Sequence, residues 1–306
     1  MQSYFLRKLA SLPLILIGVS LLVFIAIRAL PGEPARVLAG PEATQEAVDA
    51  MTVRLGLDRS IPEQYLLFAT NALQGNFGNS IRSNLPVVQE IADRLPYTLS
   101  LAALAYLLAV AVGVPAGMAG AMNRNRWPDY LVMILAIGGA SIANFWLALM
   151  AMNYFSVELG WLPLLGATSW QSYILPAVTL AVLPTAVIAR MTRSSMIEVL
   201  GQDYVRTARA KGLPARQVYW SHALRNALIP IVTIVGLNFG SLIGGAVVTE
   251  SVFNWPGLGR LMVDSVRYRD YPVIQGVALV AVFGVVIVNF LAEMLIAVLN
   301  PRIRFE

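Results

Sequence analysis

Apolar residues along this chain run in blocks of about 20, the length that crosses the roughly 30 Å hydrocarbon layer of a bilayer as a helix, and do not recur as narrow amphipathic stripes. Six blocks stand out: Leu12 to Ile27, Thr98 to Met122, Tyr130 to Tyr154, Ile174 to Ala189, Ala227 to Val248 and Val273 to Leu299. The pattern predicts an all-α integral membrane protein with six membrane-spanning helices. The fourth block is short and holds Pro176 and Pro184, so a kink is expected, with neighbouring helices satisfying the freed carbonyls. Arg7 and Lys8 ahead of the first block also suit a secretory leader. The apolar run is long for a leader, however, and Arg28-Ala29-Leu30-Pro31 offers no small-residue cleavage pattern. The block reads as a retained anchor.

The polar stretches divide the chain into a tail with the first span (1–30), a connection with its own short helices (31–97) and a five-helix core (98–306). Two further long connections, 191–226 and 249–272, lie within that core. In 31–97 a helical pattern from Glu42 to Leu55 stops at Gly56 and another from Pro62 to Leu73 stops at Gly75, as C-terminal glycines direct. This connection reads as a lid on the spans or as a direct substrate contact.

Composition supports lipid as the solvent. The chain is 58% hydrophobic and 13% charged, against about 25% charged residues in soluble domains. With the N-terminus in the cytoplasm, 13 of the 22 Lys and Arg but only 4 of the 17 Asp and Glu fall inside. The short segments agree, with Arg124 and Arg126 between spans two and three and Arg302 and Arg304 in the tail, as the positive-inside rule requires. Both termini are expected in the cytoplasm. There is no cysteine and a single histidine, His222, so disulfides, thiolate metal sites and histidine clusters have no residues to build them. His222 itself reads as a surface or packing residue. No metal site and no catalytic constellation are expected.

The connection 191–226 is the most informative segment. From Asp203 to Asn226 its pattern is helix, break, helix. Asp203 suits the start of the first helix, and Arg209 and Lys211 suit its last turn. Gly212 is placed for a left-handed stop, and Pro214 for the first position of the next helix. A DNA-reading helix pair is disfavoured because spans four and five hold the segment at the membrane, so no nucleic-acid partner is expected. Lying on anionic headgroups remains an open alternative, but a capped helix pair between two spans suits a docking surface better.

This segment resembles the coupling loop of permease subunits of bacterial ATP-binding-cassette importers, in the branch that carries dipeptides, oligopeptides, glutathione and nickel. Arg206-Thr207-Ala208 stands where the general family has Glu-Ala-Ala, Gly212 keeps its place, and the later proline is delayed to Pro230. Further similarity lies in Leu30-Pro-Gly-Glu-Pro-Ala-Arg36, Leu55-Gly-Leu-Asp58, Gly75-Asn-Phe-Gly-Asn-Ser80 and Phe253-Asn-Trp-Pro-Gly-Leu-Gly-Arg-Leu261. Ser156-Val-Glu-Leu-Gly-Trp-Leu-Pro163 and Asp270-Tyr-Pro-Val-Ile-Gln275 look most like glutathione and dipeptide permeases.

The resemblance implies a type I importer permease in the bacterial inner membrane, of the first-permease type. Implied partners are a second permease subunit, two cytoplasmic ATP-binding subunits that hold ATP and Mg, and a periplasmic substrate-binding protein. It implies that Asp203, Arg206, Thr207, Ala208, Arg209, Lys211, Gly212 and Leu213 contact the ATPase, and that Asn254, Trp255, Arg260 and Arg267 serve the outer gate or the binding protein. Trp255 equally suits an interfacial anchor. The chain lacks a Gly-x-x-x-x-Gly-Lys-Ser/Thr loop, so hydrolysis would belong to another chain and this one is not expected to be an enzyme. An ion-gradient transporter or channel subunit is the competing class, and spans this poor in ionisable residues speak against it.

Polar residues within spans are candidates for the substrate path because hydrocarbon penalises them elsewhere. Ser141, Asn144, Thr185, Asn238 and Ser241 form that set, with Thr179, Thr233, Asn289 and Glu293 as weaker members. For Ser and Thr the plain alternative is a bond to their own helix backbone. Gly236, Gly240 and Gly244 make a small-residue face on span five, suited to close helix packing within the chain or against a second subunit.

Overall fold

The computed structural model describes residues 2–28, 35, 36, 43–54, 56 and 58–299, with the side chains of 2–11, 27, 28, 54, 229, 233, 234, 237–243 and 295–299 also outside that description. Most of 30–36, Leu55, Leu57, Arg302 and Arg304 therefore lie outside the described residues, as do the side chains of Thr233, Asn238 and Ser241 and the surroundings of Gly240. In chain order the helices are α1 (Gln2–Arg28), α2 (Gln45–Arg54), α3 (Ile61–Leu73), α4 (Val87–Met122), α5 (Trp127–Ser141), α6 (Asn144–Ala151), α7 (Ile174–Leu200), α8 (Asp203–Ala210), α9 (Arg225–Val252), α10 (Leu258–Tyr268) and α11 (Tyr271–Leu299).

Three helical stretches among the described residues are long and apolar enough to cross a membrane: α4, Trp170–Leu200 and Tyr271–Met294. α1 carries the shorter apolar stretch Leu12–Ala26. The third block departs from the expected single helix. Its two helices, α5 and the one from Asn144, meet at an angle of 100°. Ile142 (φ −78°, ψ 127°) and Ala143 (φ −63°, ψ 126°) are extended, which interrupts the i to i−4 ladder for two residues. In the fourth block, Pro176 falls in the first turn of α7, where no intrahelical donor is needed, while Pro184 lies inside the helix and leaves the Leu180 carbonyl without its usual partner.

The chain packs as two compact units. The first comprises residues 1–96 and 257–284. In it α3 lies on α1: the Tyr65 ring meets Phe24 edge-on at 5.4 Å, Phe68 lies 5.8 Å from Phe24, and the Tyr65 and Ser20 hydroxyls are 2.8 Å apart. A core of Val87, Ile91, Leu258, Leu261, Val273 and Val277 joins the start of α4 to α10 and α11. Gly276 permits this approach, since a Cβ there would sit 2.7 Å from Val87 Cγ1. The buried Asp270 accepts a 2.6 Å bond from the Ser80 hydroxyl and a 3.3 Å bond from the Arg82 amide. α3 shows the stop read from its glycine: Gly75 (φ +72°) and Asn76 return their amides to the Ala72 and Asn71 carbonyls at 3.0 and 2.8 Å, a Schellman closure.

The second unit comprises, among the described residues, 97–256 and 285–299. Its centre is α7, lined along one side by α4. Gly113 and Gly117 of α4 set the distance: a Cβ at 113 would lie 3.0 Å from the Thr185 carbonyl, and one at 117 only 2.4 Å from the Ala189 carbonyl and 2.6 Å from Thr192 Cβ. This is the small-residue crossing that lets transmembrane backbones touch. Leu101, Ala105, Leu180, Ala181, Ala246 and Trp255 form the largest apolar core, and Met118, Met196, Ala223, Ala227 and Ile231 a second one.

Candidate functional site

The first separate helix of the 191–226 connection is α8, and α7 supplies nearly three further turns before it. α8 closes as its sequence directs. Gly212 has φ +77°, its amide bonds to the Arg209 carbonyl at 2.9 Å and the Leu213 amide to the Ala208 carbonyl at 3.4 Å. A left-handed residue with these two bonds is a Schellman cap, and its third element is an apolar residue folding back on the helix. Leu213 fills that role, joining Val199 and Leu200 of α7 around the buried Val205, Ala208 and Val218.

This division of labour separates the candidate residues. Asp203, Arg206, Thr207, Arg209, Lys211 and Gly212 are exposed, whereas Ala208 is buried and Leu213 partly so. Ala208 therefore supports the element from beneath. Arg206 and Asp203 form a 3.6 Å ion pair in full solvent contact, which contributes little to stability. Nothing lies within 4 Å of a Cβ built on Gly212, so only its backbone conformation demands glycine inside this chain. Exposed Arg216, Tyr204 and Trp220 extend the surface, making it cationic with aromatic edges.

The second half of the connection differs from the expected separate helix. Pro214 is the N-cap of a single turn, Ala215–Gln217, which passes through a wide-turn π segment, Val218–Leu224, directly into α9. One continuous helical path thus leads from Ala215 into span five. His222 lies in the π segment, half-buried.

Of the path candidates, Ser141 and Thr185 turn their hydroxyls onto their own helices, to the Ile137 carbonyl at 2.8 Å and the Ala181 carbonyl at 2.7 Å. Thr179 does the same at 2.9 Å with Leu175. Asn144 behaves differently. It opens α6 at the bend and donates from Nδ2 to Thr249 Oγ1 of α9 at 3.1 Å. The side chains of Asn238 and Ser241 lie outside the described residues. Asn289 Oδ1 is buried with no hydrogen-bond partner, an unusual state for an amide.

The connection at 249–272 begins later than expected, because α9 runs on to Val252. Asn254 is its left-handed terminator (φ +52°), with the Asn254 amide 3.4 Å from the Ser251 carbonyl and the Trp255 amide 2.8 Å from the Glu250 carbonyl. This is again a Schellman cap, with Asn in the glycine position. Trp255 is fully buried, packed edge-on against Tyr173 at 4.4 Å, and donates its indole N–H to the Tyr97 carbonyl at 3.2 Å. With no exposed surface, the Trp255 ring is held inside the chain, and neither a contact with a docking protein nor an anchor in headgroups is seen in this structure. Arg260 pairs with Asp264 at 3.7 Å, and Arg267 is exposed.

Two pairs were not legible as functional in the sequence. Glu250, fully buried near the end of α9, accepts the Thr98 hydroxyl at 2.6 Å. Asp129, 1% exposed in the first turn of α5, accepts both Nε and Nη2 of Arg193 in α7, the latter at 2.7 Å, and the Asn125 amide at 3.0 Å. The partners are 152 and 64 residues apart, so each acid looks like an ordinary loop charge until the fold supplies its donor. Among the described residues no group of three or more His, Cys, Asp or Glu is placed to hold a metal ion.

Apolar spanning helices, a glycine-seated helix crossing and the capped α8 between two spans suit a membrane transport subunit. Residues 113–305 match the family described as binding-protein-dependent transport system inner membrane component, and residues 1–102 match its N-terminal counterpart. The chain belongs to this family. It is 48% identical over 306 residues to the glutathione transport system permease protein GsiC of Escherichia coli strain K12, and 49% to that of Salmonella typhimurium strain LT2, with 100% of every chain covered. Among solved structures, the MetNI methionine ABC transporter, in an inward-facing crystal form, gives a TM-score of 0.60 at 20% identity over 69% of this chain and 96% of that one. An amino acid ABC transporter with histidines gives 0.54 at 17% identity over 70% and 94%.

The protein is therefore a multi-pass inner-membrane permease subunit of an ATP-driven importer, a transport component that works in a complex with other subunits. An ion-gradient transporter, the competing class, is set aside by the same findings.

Proposed function

We propose that this subunit carries glutathione or short peptides from periplasm to cytoplasm by alternating access. It would share the path with a second permease subunit and be driven by two cytoplasmic ATPases that hold ATP and Mg. A periplasmic binding protein would deliver the substrate. The charge distribution supports six spans with both termini inside, which would put the Gly212 element on the ATPase side.

The observation that carries this reading is the construction of that element. Its apolar underside (Val205, Ala208, Leu213) is fastened to the last turn of α7, and its outer face presents Arg206, Arg209 and Lys211 around an unencumbered Gly212. A rigid, cationic knob with a bare tip suits insertion into an acidic cleft, where opposite charge steers docking. Its rigid attachment passes a push on to the spans. The glutathione relatives favour a small peptide carrying a free carboxylate, and the choice among such substrates would rest mainly on the binding protein.

Gly212→Arg in the full complex, reconstituted in proteoliposomes, tests this. Membrane insertion is expected to persist while substrate-stimulated ATP hydrolysis and uptake are lost. Normal stimulation by the Arg variant would overturn the reading. Competition of glutathione and dipeptides for the binding protein decides the substrate.

A further inference from the structure

The second unit contains a mechanical arrangement that the docking element alone does not explain. Arg193 lies seven residues before Leu200 at the end of α7, about 10 Å along the helix at 1.5 Å per residue. Val199 and Leu200 pack under the Gly212 element, so a displacement of that element acts directly on α7. Its guanidinium grips Asp129 with two parallel bonds, the fork geometry that fixes both distance and orientation. Gly120 of α4 seats the pair: a Cβ there would stand 3.3 Å from Asp129 Oδ1 and 3.6 Å from Arg193 Cδ. The first turn of α5 is therefore clamped to the inner half of α7.

The end of α5 and the middle of α7 are jointed at one level. α5 stops at Ser141 before the 100° bend, and Gly139 just before it meets Val182, with a Cβ at 139 only 3.1 Å from Val182 Cγ1. Pro184, where α7 lacks a ladder bond, is two residues further on. Beyond this level α6 is seated elsewhere, through Ala148 on Leu175 and Phe253 and through Asn144 on Thr249. Bends and prolines are where helices absorb backbone change.

We propose that Asp129 and Arg193 are positioning residues that make the inner halves of α5 and α7 move as one body with the Gly212 element, while the bend at Ile142–Ala143 and Pro184 act as the hinge against the outer halves. The pair relays the ATPase stroke into span three. This rests on the reading of 191–226 as the ATPase docking element.

The test uses the assembled complex and exploits the chain's lack of cysteine. Spin labels on Leu135→Cys and Glu198→Cys report within the inner body, and labels on Leu135→Cys and Leu149→Cys report across the hinge; all three positions are exposed. On ATP binding the first distance is expected to stay constant and the second to change. In Asp129→Asn the first distance becomes nucleotide-dependent, and uptake per ATP hydrolysed falls about tenfold, within the usual range of coupling energies. The swap Asp129→Arg with Arg193→Asp is expected to recover part of that loss. A purely structural pair would change complex yield and leave uptake per ATP and the label pattern of the surviving complex unchanged, which overturns the proposal. If Gly212→Arg has no effect, the docking reading fails. If Gly212→Arg uncouples and Asp129→Asn keeps wild-type distances and coupling, only the lever fails.

Discussion

At the scale of single residues, the chain repeatedly solves one problem, ending a helix at a defined point, with a left-handed residue followed by a side chain that folds back. Gly212 and Leu213 do this for α8, and Asn254 and Trp255 for α9. Gly212 was legible because a glycine after a cationic last turn has few other uses. Asn254 was not, since asparagine signals a cap weakly, and the burial of Trp255 follows from the cap only once Tyr97 and Tyr173 are in place. Because no neighbour crowds Gly212, conformation and partner contact can be told apart by substitution. Gly212→Asn adopts the left-handed state readily and Gly212→Ala costs about 1 kcal/mol. Thermal unfolding of the solubilised subunit is expected to shift only for Ala, whereas stimulated ATP hydrolysis falls in both variants if the bare tip enters a cleft. Trp255→Phe removes the N–H bond to Tyr97 and is expected to cost about 1 kcal/mol, and Trp255→Ala about 3 to 5 kcal/mol. Both are readable as midpoint shifts in denaturant.

At the scale of elements, the apolar blocks gave existence and type for most helices but not their joints. The break after Ser141 has neither Gly nor Pro in Ile142–Ala143, so hydropathy runs straight through it. The continuity of the Ala215–Gln217 turn with α9 was hidden because Pro214 suggested a fresh start. Glycine spacing was visible in span five, yet the crossing the structure builds uses Gly113 and Gly117 of α4 on α7. Periodicity shows that a face is narrow; it does not show what approaches it. Gly117→Ala would place a methyl 2.4 Å from the Ala189 carbonyl, so it is expected to destabilise the subunit by about 1 to 3 kcal/mol, as overpacking does. A Cβ at Gly244 meets nothing within 4 Å, so Gly244→Ala should leave the isolated subunit folded and raise its stability by about 0.5 to 1 kcal/mol through helix propensity. Loss of the heteromeric complex in that same variant, measured by size-exclusion chromatography, would place a second subunit against that face.

At the scale of the whole molecule, membrane insertion and class could be read from block length, charge placement and the motifs, and the segment around Gly212 carries the proposed docking element. The substrate could not, because the candidate path residues are neutral and two of them, Ser141 and Thr185, bond their own backbones. The buried acids Asp129 and Glu250 were equally silent, since their roles depend on partners brought close only by folding. The most direct measurement is uptake of labelled glutathione or dipeptide into proteoliposomes holding the subunit with its permease partner, ATPases and binding protein. Uptake that requires ATP and the ATPase subunits and ignores collapse of the ion gradients is the predicted result. Uptake by the permease subunits alone, driven by an imposed ion gradient, would contradict it.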